Sequence, residues 1–315
     1  MKTRLLLGMV LASVCLSSCS KSDQTAQTGR TDQTASKAPA KEPSGPPKPP
    51  PIPSSLKLDL VDKVTMQLIL IPAGKFMMGG EVSAADTAGR FKKYGAQESY
   101  YAGEYPRREV TISKPFYMAR REITRAQWIA VMGSEPWKGK KCDKPTAGDI
   151  ANHVSWDDAD KFRQTLAKKI GRKVTLPTEA QWEYACRAGS KSTFSFGDDE
   201  SRLMLYAWYA ANTLVVNEPY PHTAGRKHPN TWGLYDMHGN AAEWCRDFYA
   251  EKFYENSPTV DPENTAKTEH RVLRGGQWGL YPDSCRSAYR LKDAPTATQC
   301  SYGFRVVIPV EPGGN

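Results

Sequence analysis

The sequence predicts an irregular α+β fold with low regular secondary structure, and three observations carry that expectation. Turn formers are dense, with 23 Pro and 24 Gly in 315 residues, so long uninterrupted elements have little room. Three helices are marked at both ends by capping residues, and beyond Gly189 the chain breaks into short apolar pieces between Gly, Pro, Asn and Asp. Hydrophobic residues make up 39%, enough for a full-sized core, which excludes wholesale disorder.

Lys2 and Arg4 make a basic start, and Leu5 to Leu16 form an apolar segment too short to span a bilayer. Leu16-Ser17-Ser18-Cys19 then places small residues before a cysteine. Residues 1–18 resemble a bacterial lipoprotein leader, which implies that Cys19 is acylated and anchors the mature chain to the membrane. An ordinary secretory peptide cut near Ser18 is the alternative, and both readings export the protein. With Ser20 following the cysteine, the resemblance implies the outer membrane or periplasm-facing cell envelope.

Residues 19–55 read as a tether. Ser20 to Lys37 is polar and lacks aromatic residues, and the Pro-rich run from Pro39 to Pro53 favours extended polyproline geometry, rising ~3.1 Å per residue. A ligand for a proline-recognition domain is the other reading of that run.

From residue 56 to 315 the pattern is globular. Val64 to Ile71 alternates as a strand, closed by the turn Pro72-Ala73-Gly74. Thr124 caps a helix running to Met132 with Gly133 as its stop. Ser155 and Asp158 open a second, in which Trp156, Ala159, Phe162, Leu166 and Ile170 recur at spacings of three and four before Gly171. Thr178 and Gln181 open a third, with Trp182, Ala185 and Cys186 on one face and Gly189 at the stop. The formal charge of +9 falls to +5 over residues 56–315. The Lys and Arg there are scattered, which predicts a solvated mixed-charge surface and speaks against nucleic acid as a partner.

Several segments occur together in order: Leu70-Ile71-Pro72-Ala73-Gly74 through Gly79, Val110 to Gly133, Val154-Ser155-Trp156-Asp157-Asp158-Ala159, Leu176-Pro177-Thr178-Glu179-Ala180-Gln181-Trp182-Glu183-Tyr184, Trp232-Gly233-Leu234-Tyr235-Asp236-Met237-His238-Gly239-Asn240, Val272-Leu273-Arg274-Gly275-Gly276 and Gly303-Phe304-Arg305-Val306. Over residues 62–308 they closely resemble the formylglycine-generating enzyme family, also called sulfatase-modifying factor domains. The resemblance implies a single loop-rich α+β domain related to C-type lectins, with bound calcium. It leaves the chemistry open, because members include copper oxidases of sulfatase cysteines, iron-dependent sulfoxide synthases, siderophore-maturation proteins and surface lipoproteins.

The copper enzymes carry two cysteines five positions apart, since paired thiolates suit Cu(I). In this sequence those positions are Leu280 and Cys285, Gln277 replaces the family serine, and Ala242 stands where a tryptophan is usual. Copper is therefore poorly supported, and Cys285 is left as the one candidate catalytic residue, with a structural role as its alternative. Five His without an HxxxH spacing speak against iron. His238 reads as a loop residue, and no Gly-x-Ser-x-Gly elbow is present.

For calcium, the resemblance implies oxygens from Asp236, Gly239, Ala241 and Glu243, a set that suits a hard cation held by an irregular loop. Read without the family, the segment is an Asp/Gly/Asn turn. A second family calcium position falls at Asn212 and Thr213, without the downstream Asp-x-aromatic ligands. Cys186 matches a cysteine that some members disulfide-bond, but the partner position here is Arg290. Cys142, Cys186, Cys245, Cys285 and Cys300 form an odd set after Cys15 and Cys19, so at least one thiol is left over or bonds between chains, and the pairing stays open.

Two functional readings remain. One is an envelope-anchored, calcium-stabilised binding or scaffold module; the other is an oxidoreductase acting through Cys285 on an exported protein or a small molecule.

Overall fold

The computed structural model describes residues 54–143 and 150–311. The leader, Cys19 and almost all of the tether lie outside the described residues. The described residues belong to one compact unit of mixed helix and sheet.

Strand β1 (Ser55–Asp59) pairs antiparallel with β2 (Thr65–Ile71), the strand expected from alternation. Met66 and Leu68 point into the core while Thr65 and Gln67 face solvent. The Pro72-Ala73 turn leads into β3 (Gly74–Met78), followed by helix α1 (Ala84–Arg90). β3 pairs with β4 (Arg108–Ile112) and not with β2, so the turn hands the chain to a second sheet. β5 (Phe116–Ala119) returns to the first sheet, beside β2, with all four residues buried.

The three helices form where their caps predict. α2 (Arg125–Met132), α3 (Trp156–Ile170) and α4 (Glu179–Arg187) each begin with a capping box, at Thr124/Gln127, Ser155/Asp158 and Thr178/Gln181. Gly133 and Gly171 end the first two in the left-handed conformation. α4 closes one residue earlier than expected, on left-handed Ala188. There the Asn230 amide donates to the carbonyls of Ala185 and Cys186, and the Thr231 hydroxyl to that of Ala188, so side chains from a later loop terminate the helix.

Beyond Gly189 the elements are short, as expected. α5 (Leu203–Tyr206) and α6 (Ala210–Thr213) precede β6 (Ala242–Phe248), and α7 (Phe253–Asn256) precedes β7 (Arg271–Arg274), β8 (Arg290–Asp293), β9 (Tyr302–Gly303) and β10 (Val307–Pro309). The first sheet runs β1-β2-β5-β10 and the last β8-β7-β6-β9. Trp128, Phe162 and Phe304 pack ring on ring, centroids 5.2–6.1 Å apart, and join α2 and α3 to the C-terminal segment.

The expected solvated charge surface fails for six arginines, Arg125 at 6% exposure among them. Arg187, Arg274, Arg286, Arg290 and Arg305 are all buried. Glu104 pairs with Arg286 at 2.5 and 2.9 Å, Glu179 with Arg290 at 2.6 and 2.8 Å, Glu183 with Arg187 at 2.8 Å and with Arg274, and Glu243 with Arg305 at 2.6 Å. Burial pushes the Glu179 carboxyl up, but Arg290 and Arg274 outweigh it and hold the group below the usual carboxylate range. Buried charge on this scale requires pairing, and the guanidinium forks supply it.

Candidate functional site

The loop from Asp236 to Glu243 is built on two left-handed residues, Asp236 and Asn240. Gly239 is required where it stands, since a Cβ there would lie 2.3 Å from the carbonyl oxygen of Trp208. Asn240 ties the loop to its surroundings. Its backbone N–H donates to Trp208 O at 2.8 Å, its carbonyl accepts from the Trp278 N–H at 3.1 Å, and its side-chain oxygen accepts the His222 N–H at 2.8 Å. The Asn240 amide donates to Glu122 Oε1 at 3.1 Å.

Asp236 is buried, and its Oδ2 accepts the Gly225 N–H at 2.6 Å. Glu122, also buried, is its neighbour. Asp236 Oδ1 and Glu122 Oε2 are both buried without a hydrogen-bond donor. Burial, then the charges of Asp236 and Glu243, push the Glu122 carboxyl well above its ordinary range, and burial also raises Asp236. Glu122 is the residue that sequence reasoning missed. Its only signal is an acid between Arg121 and the cap Thr124, which says nothing of burial.

Glu243, the fourth expected oxygen donor, is held differently. Arg305 Nε and Trp182 Nε1 donate to its Oε2 at 2.6 and 2.8 Å, and Arg305 Nη2 donates to Oε1. A guanidinium already neutralises it, so the buried carboxyls left for a hard cation are Asp236 and Glu122, with Gly239 and Ala241 on the same loop as Asp236. Among the described residues no three His, Cys, Asp or Glu side chains converge in metal-ligand geometry, so carbonyl oxygens would be needed. Asn212 and Thr213 are engaged elsewhere. The Asn212 amide accepts the Tyr209 N–H and donates to Ala207 O, and the Thr213 hydroxyl lies between the carbonyls of Tyr209 and Trp278. These side chains close α6 and do not fit a cation.

Cys285 ends a short 3₁₀ turn, Pro282–Cys285, and packs against Phe194, Leu203, Ala207 and Tyr209. It is fully buried, and burial pushes its thiol well up, away from the thiolate form. Gly276 must be glycine because a Cβ there would lie 2.6 Å from Ser284 O and 3.0 Å from Cys285 Sγ. Leu280 is half-buried, and its backbone closes the turn that Gln277 stabilises by accepting the Gly279 N–H at 2.7 Å. Ala242 is buried in the main core at the head of β6. Copper does not fit here, since the site offers one neutral thiol and no second sulfur. Clefts of about 160, 230 and 240 Å³ cut the surface, and Cys285 lines none of these three.

His238 lies in the expected loop but points inward, completely buried. Its Nε2 accepts the Ser195 N–H at 3.1 Å, so the ring proton sits on Nδ1, which donates to Cys285 O at 2.9 Å. Burial lowers its pKa to about 4, keeping it neutral. Cys186, beside it, is also buried and its thiol is pushed up to about 12 by burial; Arg290, which stands at the position of the family's partner cysteine, is committed to Glu179. These groups brace the core around Cys285.

The sequence profile of the sulfatase-modifying factor enzyme 1-like domain matches residues 59–310. The formylglycine-generating enzyme of Streptomyces coelicolor is 32% identical over 196 residues, 56% of this chain and 59% of that protein. Serine/threonine-protein kinase pkn1 of Chlamydia pneumoniae is 36% identical over 155 residues, 48% of this chain and 23% of that protein. The chain thus spans less than two thirds of the length of these curated relatives. PvdO from Pseudomonas aeruginosa superposes with a TM-score of 0.67 at 27% identity, covering 84% of this chain and 99% of that one. On the profile match and this shared fold, the chain belongs to the sulfatase-modifying factor, or formylglycine-generating enzyme, domain family.

Proposed function

We propose that the chain is an envelope-anchored, calcium-stabilised binding or scaffold module that does not make formylglycine. The observation that carries the reading is the sealed Cys285: one buried, neutral thiol, with Leu280 at the companion position and an ordered turn in place of a second sulfur. Family membership does not oppose it, since the same domain occurs in proteins named for unlike activities. Bound calcium would neutralise the facing carboxyls of Asp236 and Glu122 and stiffen the loop that Asn240 knots to three other segments.

Given copper, reductant, oxygen and a Cys-x-Pro-x-Arg peptide, the purified protein is expected to form no aldehyde by mass spectrometry. Leu280→Cys should restore little, because Gln277 and Ala242 have changed the surroundings as well. Multiple turnovers abolished by Cys285→Ser would overturn the module reading in favour of an oxidoreductase. The anchoring half of the proposal rests on the leader. Cys19→Ser should yield unprocessed precursor or soluble protein, and unchanged acylation and membrane fractionation would reject it. Among the described residues no helix is long and apolar enough to cross a membrane.

A further inference from the structure

The five cysteines of the described domain fall into two groups. Cys186, Cys245 and Cys285 are buried, the first two in one apolar cluster and the third in another: Cys186 Sγ faces Met237 O and the Ser287 hydroxyl, Cys245 Sγ faces Glu243 O, and Cys285 sits among apolar side chains. Cys142 and Cys300 are half-buried neighbours: burial, then the Cys142 thiol beside it, push the Cys300 thiol up to about 12, and Cys142 Sγ lies 3.5 Å from Pro219 O. The backbone around them is fixed by other contacts. His153 Nε2–H donates to Lys141 O at 2.7 Å, and the His153 backbone N–H donates to Gln299 O at 3.0 Å, so one residue binds the position before each cysteine. Arg125 adds a second hold, donating to Cys142 O at 3.2 Å and pairing with Asp143 at 3.0 Å.

We infer that Cys142 and Cys300 are a disulfide-forming pair, joined by any disulfide donor that reaches this half-buried edge. One thiolate attacks a donor sulfur, forming a mixed disulfide and releasing a thiol. The second thiolate then attacks the protein-side sulfur and expels the other donor thiol. The protein loses two protons and two electrons, and the donor is reduced to two thiols. The bond leaves three buried thiols and accounts for the odd count. It closes a loop of about half the chain, and it fastens the segment after α2 to the approach to β9, which pairs with β6 at Ala242 and Glu243. Redox state is thereby coupled to the loop that ends at Glu243.

The full chain is treated with oxidised glutathione, its free thiols are alkylated, and the protein is digested without reduction. One linked peptide pair containing Cys142 and Cys300 is expected, with Cys186, Cys245 and Cys285 alkylated only after unfolding. Dithiothreitol should lower Tm by roughly 5–10 °C. Cys142→Ser and Cys300→Ser should each melt like the reduced parent and lose sensitivity to dithiothreitol. Quantitative alkylation of both cysteines after donor treatment, or linkage of either to another cysteine, overturns the pairing. Because the donor is supplied in vitro, the result does not depend on where the protein resides.

Discussion

Glu183→Gln is expected to cost about 3–5 kcal/mol of stability and to lower Tm by roughly 10 °C. The carboxylate is fully buried and accepts from the Gly79 N–H at 2.9 Å, from Arg187 Nε at 2.8 Å and from Arg274 Nη2. The amide keeps the shape but removes the charge, and its NH2 would face a guanidinium donor. Arg187 keeps Glu81 at 2.7 Å, while Arg274 keeps the carbonyls of Ser287, Ala288 and Tyr289 but as an acid has Glu179, 3.7 Å away and already bound to Arg290. Positive charge then remains in a low-dielectric interior without a full partner. Urea denaturation of the single variant, of Arg274→Met and of the double variant measures the effect. The double should be less damaging than the sum of the singles, because it removes both charges together. An exposed control, Lys57→Ala at the pair with Asp59, should shift stability by less than about 1 kcal/mol. A Glu183→Gln protein melting within a degree or two of the parent would show that the buried network carries little.

The second large effect concerns the cation proposed between Asp236 and Glu122. Saturating calcium at about 100 times its Kd should stabilise the fold by about 2.7 kcal/mol over protein held in chelator, which is several degrees in Tm. Asp236→Ala and Glu122→Gln should each abolish that difference. In chelator, Glu122→Gln should melt at or above the parent, because it removes one of two neighbouring buried carboxyls, each of which has one oxygen without a donor. Glu243→Gln should be destabilising with or without calcium, since its partner is Arg305. Identical melting of the parent in calcium and in chelator removes the ion from the account and leaves a turn.

The parts of the fold that were legible in the sequence are those set by neighbours three or four residues apart. A capping box needs only a hydroxyl and an acceptor three residues on, so all three long helices begin where Thr124, Ser155 and Thr178 place them. The end of α4 was misread by one residue because Asn230 and Thr231, distant in sequence, supply the closing bonds. The buried ion pairs were illegible for the same reason. Scattered charges read as surface, and only the folded chain brings Glu104 to Arg286 or Glu243 to Arg305. At the candidate site the loop and its Asp236 were found by resemblance, while Glu122 was hidden on the far side of α2's cap. Glu243 was marked by resemblance, while its buried pairing with Arg305 was not foreseen.

The same ion pairs constrain when the protein can fold. The pairs Glu104–Arg286, Glu183–Arg274, Glu179–Arg290 and Glu243–Arg305 are separated by 182, 91, 111 and 62 residues. In each, the acid is made first and the base last, so a chain that ends before Arg274 holds all four carboxylates and none of these guanidiniums. Collapse at that stage would bury Glu104, Glu179 and Glu243 without these partners, Glu183 alone having Arg187 at hand, and loop closure across such distances is slow. The nascent chain is thus biased to stay open until its C-terminal segment emerges.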